Sequence, residues 1–421
     1  MRAFLPSLAA ALALFSGCEP APPRGTAPLR QDAYVWQRSH NPAVTDAMRT
    51  RAGSFHSLVV LAAEITWKKS DTGLAPQIAR VPLDWPTLRT VPNLGLGIRI
   101  NAAPGPLARD EAVIGAFITL ARTLLAEAAA QHVRLAELQV DFDAPTAKLP
   151  GYLVWINALR AAAAPLPLTI TALPAWLRSP DFAALAHATP GYVLQVHSIA
   201  RPRDADEPAI LCDPDAARGA IERAARLNVP FRVALPTYGY TLTFDSAGHF
   251  VGLSAEGARP GRPEGSIVHE VRSDPAQLAG LVRSLAADHP AMLTGIIWYR
   301  LPVAGDQLNW SWPTLAAVMR GRAPSPHLRA VAQAQSDGSF AFSVFNDGEG
   351  DFIGPLHVAA RWHDAQRTGA DALAPFLLAT QSPTALGLAA TNCILPAGAH
   401  RPIGWLKLSN PASIPDVRLE N

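Results

Sequence analysis

The sequence predicts an α/β fold, a (β/α)8 TIM barrel, followed by a C-terminal all-β sandwich of immunoglobulin-like size. Three observations carry this. Eight short apolar runs alternate with helical patterns between residues 33 and 319, the order expected of parallel strands joined by crossover helices. Helical periodicity stops at Arg322-Ala-Pro-Ser-Pro326, and beyond it short runs are separated by turn residues. A doubly wound sheet, the other fold with this alternation, would carry a Gly-rich phosphate loop after its first strand, and none is present.

The chain has 421 residues, 49% of them hydrophobic and 17% charged, enough for a large domain plus a small one. A net charge of +2 offers no basic field, so no nucleic-acid partner is expected. At the N-terminus, Arg2, the apolar run Leu5–Phe15 and Ser16-Gly17-Cys18 read as a signal peptide over 1–17 that ends in a lipobox-like sequence. Cleavage would leave a lipidated Cys18. Glu19 stands where Asp would favour inner-membrane retention, so the expectation is an envelope lipoprotein at the outer membrane, facing the periplasm. Residues 18–30 read as a lipidated tether. The lipid anchor is the only membrane contact expected, since no later stretch reads as long and apolar enough to span.

The barrel is expected over 31–322. Its strands are read at Ala33–Gln37, Leu58–Ile65, Leu94–Ile100, Leu138–Asp143, Leu166–Ala172, Tyr192–His197, Phe231–Leu235 and Thr294–Tyr299, from β-branched or alternating apolar residues. Helices are read at Ala108–Ala130, Leu149–Ala163, Pro180–His187, Pro214–Leu227, Pro275–Ala287 and Trp312–Met319. Several open with Asp or Ser before a Pro, a helix-start signal. Tyr240–Ser254 alternates on both sides of Ser246-Ala247-Gly248 and predicts a β-hairpin near 240–254, overhanging the mouth. The sandwich is expected over 327–421, with strands at Leu328–Gln335, Ser339–Phe345, Leu356–Trp362, Leu373–Ala379 and Ile403–Leu408. Within it, Asn346–Asp351 fails the spacing of a calcium loop and reads as a turn. Cys212 and Cys393 read as isolated thiols without metal-ligand spacing, and neither a metal nor a cofactor is expected.

Function in such barrels sits at the C-terminal ends of the strands. Glu137–Pro145 is the most informative segment: Leu138, Val140 and Phe142 form one row, and Gln139, Asp141 and Asp143 the other. Two aspartates at the end of a strand break local propensity, as sites often do. The other strand ends add Glu64 with Trp67 beyond it, Arg99, Gln195, His197, Tyr238, Trp298 and Arg300. Carboxylates with aromatic platforms suit a carbohydrate. Each also has a structural reading. Asp141 and Asp143 could pair with Arg99 or Arg300, Glu64 could neutralise an arginine, and His197 and Trp298 could be core.

Asp32-Ala-Tyr-Val-Trp-Gln-Arg38, Glu137–Pro145 with Lys148-Leu-Pro-Gly-Tyr152, Leu168–Leu177, Tyr192–Ser198 and Val233–Gly239 resemble a bacterial lipoprotein family, domain of unknown function 3142. At longer range the barrel resembles the chitinase-like glycoside hydrolases of family 18, whose fourth strand ends Asp-x-x-Asp-x-Asp-x-Glu. Asp141 and Asp143 fall on the last two aspartates, and the family's general acid falls on Pro145. The resemblance implies a protein acting on a polysaccharide or glycan. In the enzyme reading Asp143 is the acid/base, Asp141 tunes it and Glu64 is the second carboxylate. Gln195, His197, Tyr238, Arg99, Arg300, Trp67 and Trp298 would bind substrate. The rival is a non-catalytic glycan-binding or envelope-assembly protein on a degenerate hydrolase barrel, for which Pro145 is the main support.

Overall fold

A computed structural model describes residues 22–420, apart from 71–72, 104, 106, 108–110, 199–201 and 256–263. The expected signal peptide, Cys18 and the first part of the tether lie outside the described residues.

Eight parallel strands form one closed sheet: β1 (Arg30–Val35), β2 (Ser57–Ser70), β3 (Leu94–Ile100), β4 (Leu135–Phe142), β5 (Leu168–Ala172), β6 (Tyr192–Gln195), β7 (Phe231–Pro236) and β8 (Leu293–Tyr299). Each pairs with its successor, and β8 pairs with β1, so the TIM-barrel expectation holds. Helices cover the outside. Asp213 and Asp274 cap helices Pro214–Ala225 and Pro275–Ala287 by accepting from two backbone amides each, with Pro at the first helical position.

β3 shows how the local sequence builds both layers. Leu94, Leu96, Ile98 and Ile100 are buried under the helices. Gly95 and Gly97 face inward, where a Cβ on Gly97 would stand 2.9 Å from the Trp36 ring. The missing side chain makes room for Trp36 inside the barrel.

Three differences from the sequence reading stand out. β2 runs past the rim to Ser70 and turns back along Gly73–Arg80 as an antiparallel ribbon. The predicted hairpin is joined by a third strand: Gly239–Phe244 sits between Phe250–Ser254 and Ile267–Arg272. Helix Glu111–Ala130 is, by length and composition, apolar enough to span a membrane, contrary to the reading above. Here its Val113, Phe117, Leu120 and Leu124 pack into the core, which accounts for that apolarity.

The C-terminal region is two four-stranded antiparallel sheets enclosing Phe340, Phe342, Val358, Trp362, Leu388 and Leu406. The run 373–379 is not one strand. Arg367–Ala372 and Leu377–Gln381 lie in different sheets, and Ala385–Leu395 and Asp416–Glu420 complete the second. The loop after Asn346 does more than turn the chain. Asp351 accepts from the amide of Ser311, which precedes the last barrel helix, and Glu349 takes a bidentate pair from Arg322. It therefore bolts the sandwich to the barrel. Cys212 and Cys393 are free thiols.

Candidate functional site

The inward-facing positions of the strands meet at the C-terminal mouth in a cavity of about 560 Å3, a size typical of small-ligand sites. The fourth strand supplies its centre. Asp141 is buried and takes three donors: Arg99 Nη1 at 2.5 Å, the Thr171 hydroxyl at 2.8 Å and Gln195 Nε2 at 3.0 Å. β3, β5 and β6 position those donors. One layer nearer solvent, Asp143 accepts from Arg99 Nη2 at 2.8 Å through Oδ2 alone, and its side chain is 42% exposed. Burial pushes the Asp143 carboxyl above its ordinary range, with Arg99 opposing and the Asp141 charge adding to the rise.

Glu64 lies beside Arg99 in register on β2. It is held by both arms of Arg38, Nε to Oε2 at 2.6 Å and Nη2 to Oε1 at 2.9 Å. Arg300 follows β8 and pairs with Asp306 at 3.0 Å. Among the described residues, every carboxylate at the mouth is thus engaged by an arginine.

The opposite wall is aromatic. The His197 ring stacks on Tyr299 with centroids 5.6 Å apart, and Tyr299 meets Trp36 at 5.9 Å and Tyr238 at 5.2 Å. His197 Nδ1 lies 3.3 Å from the Tyr238 hydroxyl, which donates to Tyr240 at 3.0 Å. His197 Nε2 is buried with no partner among the described residues. Burial drives the His197 imidazole down to about 4, against the pull of Asp141, so the ring is neutral near pH 7.

Of the residues singled out from sequence, Asp141, Asp143, Glu64, Arg99, Gln195, His197, Tyr238 and Arg300 line this cavity. Trp298 and Trp67 do not. Trp298 faces the helix layer, is fully buried and donates Nε1–H to Gln31. Its neighbour Tyr299 faces the cavity, because one residue along a strand changes the face. Trp67 stands an odd number of residues from Glu64 on β2. It stacks on Trp155 outside the barrel and bonds the Asn101 carbonyl. Tyr34, near the end of β1, and Trp36 and Arg38 just beyond it were missed. Their alternation with Ala33, Val35 and Gln37 was the available signal.

Fold and site together define a closed (β/α)8 barrel with a polar, aromatic-walled mouth and an all-β C-terminal region. Within it, residues 97–304 match the family described as "Domain of unknown function (DUF3142)". No curated protein matches the chain. Among solved structures, a chitinase from Chromobacterium violaceum ATCC 12472 is similar at 17% identity, covering 70% of this chain and 98% of its own, with a TM-score of 0.47. The Bacillus cereus spore cortex-lytic enzyme SleL gives 12% identity, 70% and 74% coverage and a TM-score of 0.47. A chitinase from Bacteroides thetaiotaomicron gives 13% identity, 65% and 90% coverage and a TM-score of 0.44.

Proposed function

We propose that the barrel mouth binds a glycan and that its carboxylates recognise the saccharide without cleaving it. Flat aromatic faces beside hydroxyl-binding polar groups suit sugar rings. One observation carries the non-cleaving part: among the described residues, no two carboxylates at the mouth are free to work as a pair. Glu64 is clamped bidentately by Arg38, and Asp141 is saturated by Arg99, Thr171 and Gln195. Cleavage by either common route needs two carboxyl groups with distinct free roles. Pro145, at the position of the family 18 acid, adds none. The test is titration of an oligosaccharide panel, followed through Trp36 fluorescence, with product analysis of the same samples. Saturable binding that is lost in Tyr299→Ala, with intact oligosaccharide recovered, supports the reading. Absence of binding across the panel, or shortened products, rejects it.

One observation favours a second reading. Asp143 keeps a raised pKa and an exposed oxygen inside the cavity, as a lone general acid would. In that case product forms, and Asp143→Asn abolishes it.

For the N-terminus we propose that residues 1–17 direct export and that lipidated Cys18 tethers the barrel to the outer membrane, facing the periplasm. Support comes from the apolar run ending in Ser-Gly-Cys. Metabolic labelling with a radioactive fatty acid should mark the chain, and Cys18→Ser should remove the label. Labelling that survives Cys18→Ser contradicts the proposal.

A further inference from the structure

The lone pairs and charges at the mouth narrow the class of saccharide. Three arginines line it, and each has a carboxylate of its own: Arg38 with Glu64, Arg99 with Asp141, and Arg300 with Asp306. Asp143 is the fourth carboxylate. It shares Arg99 through Oδ2, and its Oδ1 has no protein donor among the described residues. Arg99 thus serves two carboxylates with one positive charge, and the unmatched negative charge of that trio sits on Asp143.

His197 presents the second open group. The Tyr238 hydroxyl hydrogen is committed to Tyr240, so His197 Nδ1–H donates to the Tyr238 oxygen. Nε2 is then a bare lone pair, buried and unpartnered, on a side chain that lines the cavity and belongs to a residue only 8% exposed. Burial keeps this ring neutral. A buried acceptor without a donor costs free energy until a ligand supplies one.

The two strands aim these groups at one place. Asp141 and Gln195 touch across the barrel at 3.0 Å. Asp143 and His197 follow just beyond the ends of these two strands, and both line the one cavity. An N-acetyl group would bring a neutral amide, with a single N–H donor and a carbonyl acceptor, to these acceptors. A uronate would bring like charge. An ammonium brings a positive charge and three N–H donors, and the tyrosine and tryptophan rings nearby also favour a cation.

We infer that the mouth is selective for glycans carrying free amino groups, such as de-N-acetylated hexosamine chains, with the sugar ammonium held by Asp143 and His197. This rests on the glycan reading of the mouth. Calorimetric titration of the full chain at about pH 6, where such an amine is protonated, compares a glucosamine tetramer, an N-acetylglucosamine tetramer and cellotetraose. The expected result is that the glucosamine tetramer binds about tenfold or more tighter than either, the order of one charge-assisted hydrogen bond. Asp143→Asn keeps the shape and the Arg99 contact, and should remove that preference without lowering the melting temperature. His197→Phe should weaken it. Equal or tighter binding of the N-acetylated tetramer, or a preference that survives Asp143→Asn, overturns the inference and leaves the glycan reading standing. Binding of none of the three overturns both.

Discussion

Two arginines at opposite ends of one barrel each bridge two carboxylates, and their surroundings differ. At the N-terminal end, Arg232 on β7 reaches Asp32 at 2.9 Å and Glu137 at 2.7 Å. Asp32 also accepts from the Ser57 amide, and Glu137 from the Thr169 hydroxyl. All three charged side chains are buried or nearly so, and the cavity there is smaller, about 340 Å3. At the C-terminal end, Arg99 bridges Asp141 and Asp143. Asp141 takes three donors, whereas Asp143 has one oxygen without a donor among the described residues and lines the same cavity as the unpartnered His197 nitrogen. In the bottom clamp both carboxylates are held in or near the interior beside Arg232. In the top one Asp143 is exposed to the cavity, and that exposed acid marks the site.

Substitutions can break this contrast. Arg232→Leu would strand two buried carboxylates, and we expect a loss of about 3–5 kcal/mol in denaturant unfolding. Arg99→Leu should cost clearly less, because Asp141 retains Thr171 and Gln195 and Asp143 retains solvent. Equal losses would erase the distinction. Next in size is pH. His197 titrates near 6.5 when unfolded and about 4 when folded. The unfolded chain binds more protons in that window, so stability contributed above pH 6.5 is lost as pH falls toward 4, by roughly 3 kcal/mol. His197→Gln should flatten this part of the melting-temperature profile. Gly97→Ala would place a Cβ against the Trp36 ring. An overpacking cost of about 1–3 kcal/mol and a shifted Trp36 emission should follow. The smallest effect should come from Asp143→Asn. A carboxyl whose pKa is raised in the fold gives stability that is present below pH 3.8 and lost as pH rises. Removing its charge should therefore raise stability near pH 7, by less than about 1 kcal/mol after solvent screening.

The contrast was half legible in the sequence. The alternation of Gln139, Asp141 and Asp143 against Leu138, Val140 and Phe142 placed the aspartates inside the barrel mouth, because a strand's period of two leaves no other choice once one face is buried. Glu137 continues the same row into the bottom clamp, and nothing in the alternation separates a saturated acid from an open one. That depends on partners from β3, β5 and β6, which only three-dimensional closure brings together. The eighth strand shows the other limit. Gly-Ile-Ile-Trp-Tyr is apolar on both faces, so its parity was unreadable, and Trp298 stood in for Tyr299. Arg38 was missed because its partner, Glu64, comes from a different strand.

Mass analysis of a glucosamine oligosaccharide after prolonged incubation with the protein, alongside its binding isotherm, tests the central claim most directly. A binding, non-cleaving mouth predicts saturable binding that Asp143→Asn weakens, with every chain recovered at its starting length. Shorter chains that form with the unaltered protein and disappear with Asp143→Asn would contradict it.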